Sequence, residues 1–215
     1  MNQGRTGKRA YLFDMDGVLI DNTKYHVESW LELARRHGGK ATTDGLIALM
    51  GSPGRDFIAR MFGEALSPER ADELLREKEA LYREIYRPYI VARDGVVDFL
   101  AKARREDVVC AITTGGSRAN VDFVLDSLNL RGSFACVLDA ARYSRGKPHP
   151  DCYLETAAAV GAEPCDCTVF EDAVNGIAAA RAAGIRVVAI TGTNTRETLL
   201  RAGADRVIDS FCELM

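Results

Sequence analysis

No apolar run in this chain approaches the roughly 18 residues that span a bilayer, which excludes a membrane-crossing helix. A basic block is missing too: 28 lysines and arginines stand against 31 aspartates and glutamates, a formal charge of −3. The clustered positive face of a nucleic-acid binder is therefore absent. None of the six cysteines forms a C-x-x-C pair or a Cys/His pattern with zinc spacing, so reduced structural thiols are expected. Repeats and low-complexity stretches are lacking as well. The opening segment, MNQGRTGKRA, has no apolar stretch of the signal-peptide kind, and the expected location is the cytoplasm. What remains is a 215-residue chain long enough for one sizeable core and a smaller appendage, without a disulfide or metal staple. Its expected partner is a small molecule, with neither nucleic acid nor membrane involved. The oligomeric state stays open, a monomer being sufficient.

Short apolar runs recur at Ala10–Phe13, Val108–Thr113, Ala135–Leu138, Thr168–Phe170, Val187–Ile190 and Val207–Ile208. Between them lie helical patterns such as Val121–Leu128, Tyr153–Val160 and Ala173–Ala183, and Gly161 and Gly184 stop two of these just before the next strand. Strands alternating with helices predict an α/β fold, a doubly wound Rossmann-like parallel sheet with helices on both faces. One stretch breaks the alternation. From Asn22 to about Tyr89 no strand is evident, and helices over Thr23–His37, Arg55–Phe62 and Ser67–Tyr86 predict an inserted helical bundle over 22–89, with the core formed by 1–21 and 90–215. Ser67 and Pro68 suit the start of the third helix. Two linkers joining bundle to core can serve as a hinge.

The chemistry gathers at strand ends. Asp14-Met15-Asp16-Gly17 places two carboxylates where the first strand finishes, the end at which open α/β sheets bind ligands. A turn alone would also use these residue types. Thr113-Thr114-Gly115-Gly116-Ser117 follows the second strand, and a hydroxyl with glycine N–H groups at a helix entry can hold phosphate oxygens. Ser117 as a plain helix cap explains that segment equally well. Gly146-Lys147-Pro148-His149-Pro150 holds one lysine between prolines, and an ammonium there could balance phosphoryl and carboxylate charge. Finally, Glu171-Asp172 is delivered by a strand directly into a helix. Asp172 can cap that helix while Glu171 complements its dipole, or the pair can join Asp14 in offering hard oxygen ligands to Mg²⁺. Four such segments at four strand ends, of complementary chemistry, favour a site.

Together these motifs resemble the haloacid dehalogenase superfamily, in the branch of β-phosphoglucomutase and its related sugar phosphatases. D-x-D-G-V-L-I-D, the T-G-G loop, G-K-P-x-P-D and E-D-x-x-x-G occur in the family's order and cover nearly all of the chain beyond its first nine residues. The helical insertion is similar to that branch's cap domain. The resemblance implies Asp14 as nucleophile and Asp16 as general acid and base. It implies phosphate contacts from Thr114, Gly115 and Lys147. It also implies Mg²⁺ held by Asp14, the Asp16 carbonyl and Asp172 with Glu171 nearby. A small phosphorylated metabolite, of the sugar-phosphate kind, is the implied substrate.

Substrate contacts implied on the cap are His26 and Trp30, four residues apart on one helix face, with Lys78 and Arg55. Packing within the bundle is the other use for the His26 and Trp30 pair. Two departures from the mutase pattern favour a phosphatase. Gly51-Ser52-Pro53-Gly54-Arg55 carries its arginine one position late against G-x-S-R, and Gly115-Gly116-Ser117-Arg118 replaces a polar S-K-N stretch. The rivals are a β-phosphoglucomutase-type mutase and a non-catalytic module that binds a phosphorylated ligand. Against the latter stands the complete set Asp14, Asp16, Thr114, Lys147 and Asp172.

Overall fold

The computed structural model describes residues 7–50, 53–63 and 66–215, and divides them into two compact units. Residues up to Asp21 and from Val91 onwards form one, and Asn22–Ile90 forms the other.

The first unit is a six-stranded parallel sheet built from β1 (Ala10–Phe13), β2 (Val109–Thr113), β3 (Cys136–Leu138), β4 (Cys167–Glu171), β5 (Arg186–Ile190) and β6 (Arg206–Ile208). Their spatial order is β3-β2-β1-β4-β5-β6, so the chain reverses direction of winding at β1. β1 lies between β2 and β4, pairing Phe13 with Ile112 on one side and Phe170 on the other. The carboxyl ends of β1, β2 and β4 therefore finish side by side, and such a switch point is where open α/β sheets bind ligands.

Alternation along these strands assigns each face. Ala10, Leu12, Val169, Val187 and Ala189 point to a core shared with α7 (Asp151–Val160) and α8 (Val174–Ala182). Tyr11, Phe13 and Phe170 point the opposite way, as a period of two requires. There Phe13 stacks on Phe170 at 4.7 Å, and Phe99 and Phe211 pack around them. Phe99 comes from α5 (Val96–Arg105), a helix for which the sequence pattern gave no separate signal. Each fully buried ring or branched side chain contributes roughly 1.5–3 kcal/mol. α6 (Arg118–Ser127) follows β2, and α9 (Arg196–Arg201) precedes β6.

The second unit contains α1 (Thr23–His37), α2 (Thr43–Ile47), α3 (Gly54–Phe62) and α4 (Pro68–Tyr86). Val27, Trp30, Leu33 and Ala34 recur at helical spacing along α1, and they meet Phe57, Met61, Leu74 and Leu81 in one apolar core. α1 ends at Gly38, whose φ of 70° is the left-handed conformation that a helix stop needs, with Arg35, Arg36 and His37 on its last turn. α4 begins where Ser67 accepts a hydrogen bond from the Arg70 N–H at 3.3 Å, with Pro68 in the first turn. α2 is short, and Thr42 caps it.

Candidate active site

Asp14 follows β1 directly, and its N–H donates to the Phe170 carbonyl at 3.0 Å, extending the sheet by one bond beyond the strand. The chain then turns: the N–H groups of Val18 and Leu19 both donate to the Met15 carbonyl, and Gly17 adopts a φ of 76°. Glycine is required there twice over, because a Cβ at Gly17 would also run into the Asp172 carboxylate. The turn is held from outside by Arg93, which donates to the Gly17 carbonyl at 2.7 Å and to the Thr191 carbonyl at 2.6 Å.

Lys147 reaches back to this point from the loop before α7. Its Nζ lies 2.7 Å from Asp14 Oδ1 and 2.6 Å from Glu171 Oε1, joining the ends of β1 and β4. The ammonium also stands 5.3 Å from the centre of the Tyr153 ring, and the Tyr153 hydroxyl donates to the same Glu171 oxygen at 2.6 Å. Glu171 Oε2 accepts the N–H groups of Asp172 and Ala173 at 3.0 and 3.2 Å. Both oxygens of this buried carboxylate are thus engaged, as a charge out of water demands.

The capping alternative for Asp172 is not what the backbone adopts. Ala173 takes the N-cap position of α8 with no side-chain cap, and Glu171 satisfies the N–H groups that lead into the helix. Asp172 is left at the site, buried and hydrogen-bonded to Thr193. Asn194 Nδ2 donates to its carbonyl at 2.9 Å. At β2 the capping reading does hold, since Ser117 accepts from the Asn120 N–H and begins α6. Thr114, buried, accepts from the Gly116 N–H at 3.0 Å, while Gly115 is exposed. A Cβ on Gly116 would lie 3.6 Å from an Asp16 oxygen and 3.2 Å from Thr114 Oγ1, so the glycine loop runs alongside the acid loop.

Charge dominates this region. Asp14, Asp16, Glu171 and Asp172 interact electrostatically around the Lys147 ammonium. Burial, helped by Glu171, Asp172 and Asp16, pushes the Asp14 carboxyl well above its ordinary value, although Lys147 opposes this. Asp172 is pushed up to about 7, by burial first and Glu171 second, against the Thr193 hydrogen bond and Lys147. Burial alone would lower the pKa of Lys147, but Asp14 and Glu171 outweigh it and hold that pKa well above the usual lysine value. Tyr153 is likewise raised by burial and by Glu171.

Asp14, Glu171 and Asp172 each present a carboxylate oxygen, all within 4.8 Å of one another. Their hard oxygens, their burial and their mutual repulsion fit a divalent cation of the Mg²⁺ type, which would relieve the excess negative charge. Glu171 is the least available of the three, because both of its oxygens already accept hydrogen bonds.

The four residues implied on the helical unit occupy different surroundings. Trp30 is buried in that unit's core, stacked on Phe57 at 4.8 Å, because its helix turns the same stripe inward as Val27 and Leu33. Of the two uses open to Trp30, packing is the one its burial in this core displays. His26 stacks on Tyr82 at 3.9 Å, and its Nδ1 is 2.7 Å from the Nζ of buried Lys78. Lys78 also pairs with Glu79 at 2.9 Å and lies over the Trp30 ring. Arg55 pairs with Asp72 at 2.6 Å on α3 and α4. The Gly51-Ser52 part of its loop lies outside the described residues.

Tyr153, Tyr143 and Arg93 carried no separate sequence signal. Each acts through a partner distant in sequence, and only the Lys147-Pro148-x-Pro150-Asp151-Cys152-Tyr153 run hinted that an aromatic closes the lysine loop.

Residues 8–184 match the haloacid dehalogenase-like hydrolases. Validoxylamine A 7'-phosphate phosphatase of Streptomyces hygroscopicus subsp. limoneus is 33% identical over 206 residues, covering 96% of this chain and 95% of its own. Fructose-1-phosphate phosphatase of Escherichia coli (strain K12) is 33% identical over 189 residues, 82% of this chain and 93% of its own. Among solved structures, β-phosphoglucomutase from Clostridium difficile superposes with a TM-score of 0.85 at 25% identity, over 97% of this chain and 93% of its own. The chain belongs to the haloacid dehalogenase-like hydrolase family. It is an enzyme of the family's phosphatase kind. No helix among the described residues is long and apolar enough to cross a membrane.

Proposed function

We propose that this enzyme is a Mg²⁺-dependent phosphatase that hydrolyses a small phosphomonoester, of the sugar-phosphate kind, through an aspartyl phosphate on Asp14. The observation that carries the reading is Lys147, held between Asp14 and Glu171 beside Asp172, a fixed cation among carboxylates at the sheet's switch point. Similarity to a validoxylamine A 7'-phosphate phosphatase and a fructose-1-phosphate phosphatase supports the substrate class. The buried thiols Cys110, Cys152 and Cys167, outside any disulfide, are in keeping with a cytoplasmic enzyme.

In this reading an Asp14 oxygen attacks phosphorus in line, the ester P–O bond breaks, and Asp16 delivers a proton to the departing oxygen. Water then attacks the phosphorus of the aspartyl phosphate. Asp16 takes its proton, the bond to Asp14 breaks, and inorganic phosphate leaves with the Asp14 carboxylate restored. Lys147 stabilises the charge spread over the transferring group, and the Thr114 hydroxyl and Gly115 N–H hold its oxygens. Asp14, Asp172 and the Asp16 carbonyl would hold Mg²⁺, with Glu171 alongside. The cation, when bound, reduces repulsion between the attacking carboxylate and the phosphate dianion. Glu171, with its oxygens committed to Tyr153, Lys147 and two backbone N–H groups, serves chiefly to fix Lys147.

The second reading is a mutase, favoured by the close superposition on a β-phosphoglucomutase. Arg55 speaks against it: the guanidinium that would anchor a second phosphate is paired with Asp72. The helical unit in either case supplies substrate selection, and His26 and Lys78 are the candidates for it. Release of inorganic phosphate from a generic aryl phosphate tests the proposal, with dependence on Mg²⁺ and loss in Asp14→Asn expected. Turnover retained by a pure Asp14→Asn preparation would refute it.

A further inference from the structure

In the loop after β2, both backbone groups of Thr114 and of Gly116 have partners. The Thr114 N–H donates to the Leu138 carbonyl at 3.0 Å, the Gly116 N–H to Thr114 Oγ1 at 3.0 Å, and the Gly116 carbonyl accepts from Ala140 at 3.3 Å. The Thr114 carbonyl accepts the hydroxyl of Tyr143 at 3.2 Å. The Gly115 N–H, in contrast, has no hydrogen-bond partner among the described residues. It belongs to the same peptide unit as the Thr114 carbonyl, and in a trans peptide these two groups point in opposite directions. Whatever fixes the carbonyl therefore aims the N–H.

Fixing is needed at this place. Gly115 has no side chain to resist rotation of the peptide before it, and the residue is exposed. A flipped peptide would present a carbonyl oxygen where an anion is to bind. Tyr143 is suited to prevent this. Its ring is half-buried and packs against the core beneath the sheet. The hydroxyl lies 3.9 Å from where a Cβ on Gly115 would stand, and the ring edge lies 3.5 Å from the corresponding position on Gly146, the neighbour of Lys147. One rigid side chain thus touches both loops that carry the phosphate contacts.

We propose that Tyr143 is a positioning residue which locks the Thr114–Gly115 peptide, so that the Gly115 N–H faces the transferring phosphoryl group. The inference rests on the phosphatase reading of the site and adds a residue to it. Removing the hydroxyl alone, in Tyr143→Phe, keeps the ring's packing and frees the peptide to rotate. Loss of one such hydrogen bond corresponds to about threefold to tenfold in an equilibrium. The dissociation constant for inorganic phosphate in Mg²⁺, measured by calorimetry, is expected to rise by that factor in Tyr143→Phe.

A bond that served folding alone could not be replaced by stiffening the backbone elsewhere. Gly115 does not have a positive φ, so alanine fits its conformation and restricts the flip. Adding Gly115→Ala to Tyr143→Phe is expected to bring phosphate affinity back to within about twofold of the Gly115→Ala single variant. Unchanged affinity in Tyr143→Phe, or a double variant as impaired as Tyr143→Phe, would overturn the lock. An unmodified enzyme that does not bind phosphate would instead overturn the phosphatase reading. The lock is then judged by the ¹⁵N-labelled Gly115 amide resonance without ligand. One sharp signal that broadens or doubles in Tyr143→Phe supports it, and identical sharp signals in both proteins reject it.

Discussion

The Glu171 carboxylate fills the space that a Cβ on Gly176 would occupy. Glu171 leaves β4 and folds under the first turn of α8, so the residue five positions later must lack a side chain. This gives the E-D-x-x-x-G spacing a physical cause. Gly176→Ala is expected to displace Glu171 and, through it, Lys147. A destabilisation of about 1–3 kcal/mol by urea titration is expected, together with a fall in kcat. A variant equal to the parent in both would show that the carboxylate can settle elsewhere at no cost.

Lys147 is the second test. Lys147→Ala removes the ammonium that lies 2.7 Å from Asp14 and 2.6 Å from Glu171. Loss of a fixed charge of this kind lowers turnover by about 10²–10³-fold. It also leaves buried carboxylates unopposed, so the thermal midpoint in chelator should fall. A large drop in activity with an unchanged midpoint would contradict the structural half of that role.

Tyr153 supports Lys147 from a fully buried position. Tyr153→Phe deletes the 2.6 Å bond to Glu171 and should cost about 1.5–3 kcal/mol of stability, the usual range for a hydrogen bond to a charged group. A neutral result would mean that Lys147 and the two backbone N–H groups suffice for Glu171.

The pKa of Asp172 turns into a pH dependence with a definite sign. Its folded value of about 7 lies above the ordinary 3.8, so between these values the native state binds a proton that the unfolded chain has lost. Stability in chelator should fall as pH rises from about 4 to about 7, with Asp14 acting in the same direction. Asp172→Asn removes its share, and in chelator at pH 8 should exceed the parent by about 1–4 kcal/mol. The gap should shrink at pH 5. Mg²⁺ should stabilise the parent more than the variant. A gap independent of pH would refute the assignment.

Much of this was legible in the chain. β1 matches its apolar run residue for residue, because a strand buried on both faces leaves an uninterrupted apolar signature. α1 likewise matches, because its stripe and the Gly38 stop are local signals. The acidic residues could be named from strand ends alone. Lys147 could be named too, from its place between prolines, although it meets Asp14 across 133 positions, whereas Arg93, which meets Gly17 across 76, could not. For Trp30 the spacing beside His26 left packing and substrate contact both open, because the Phe57 ring it stacks on belongs to another helix. The cap alternative for Asp172, open from its position before a helix, gives way because the longer Glu171 side chain reaches those N–H groups first.

The central claim is hydrolysis of a sugar phosphate, and ³¹P NMR tests it most directly. β-Glucose 1-phosphate and a panel of sugar and polyol phosphates would be followed with Mg²⁺, with and without a bisphosphate activator. Inorganic phosphate as the sole phosphorus product from at least one member is the predicted result. Conversion of a 1-phosphate to a 6-phosphate without release of phosphate would contradict it, and would mean that the Arg55–Asp72 pair opens to take a second phosphate.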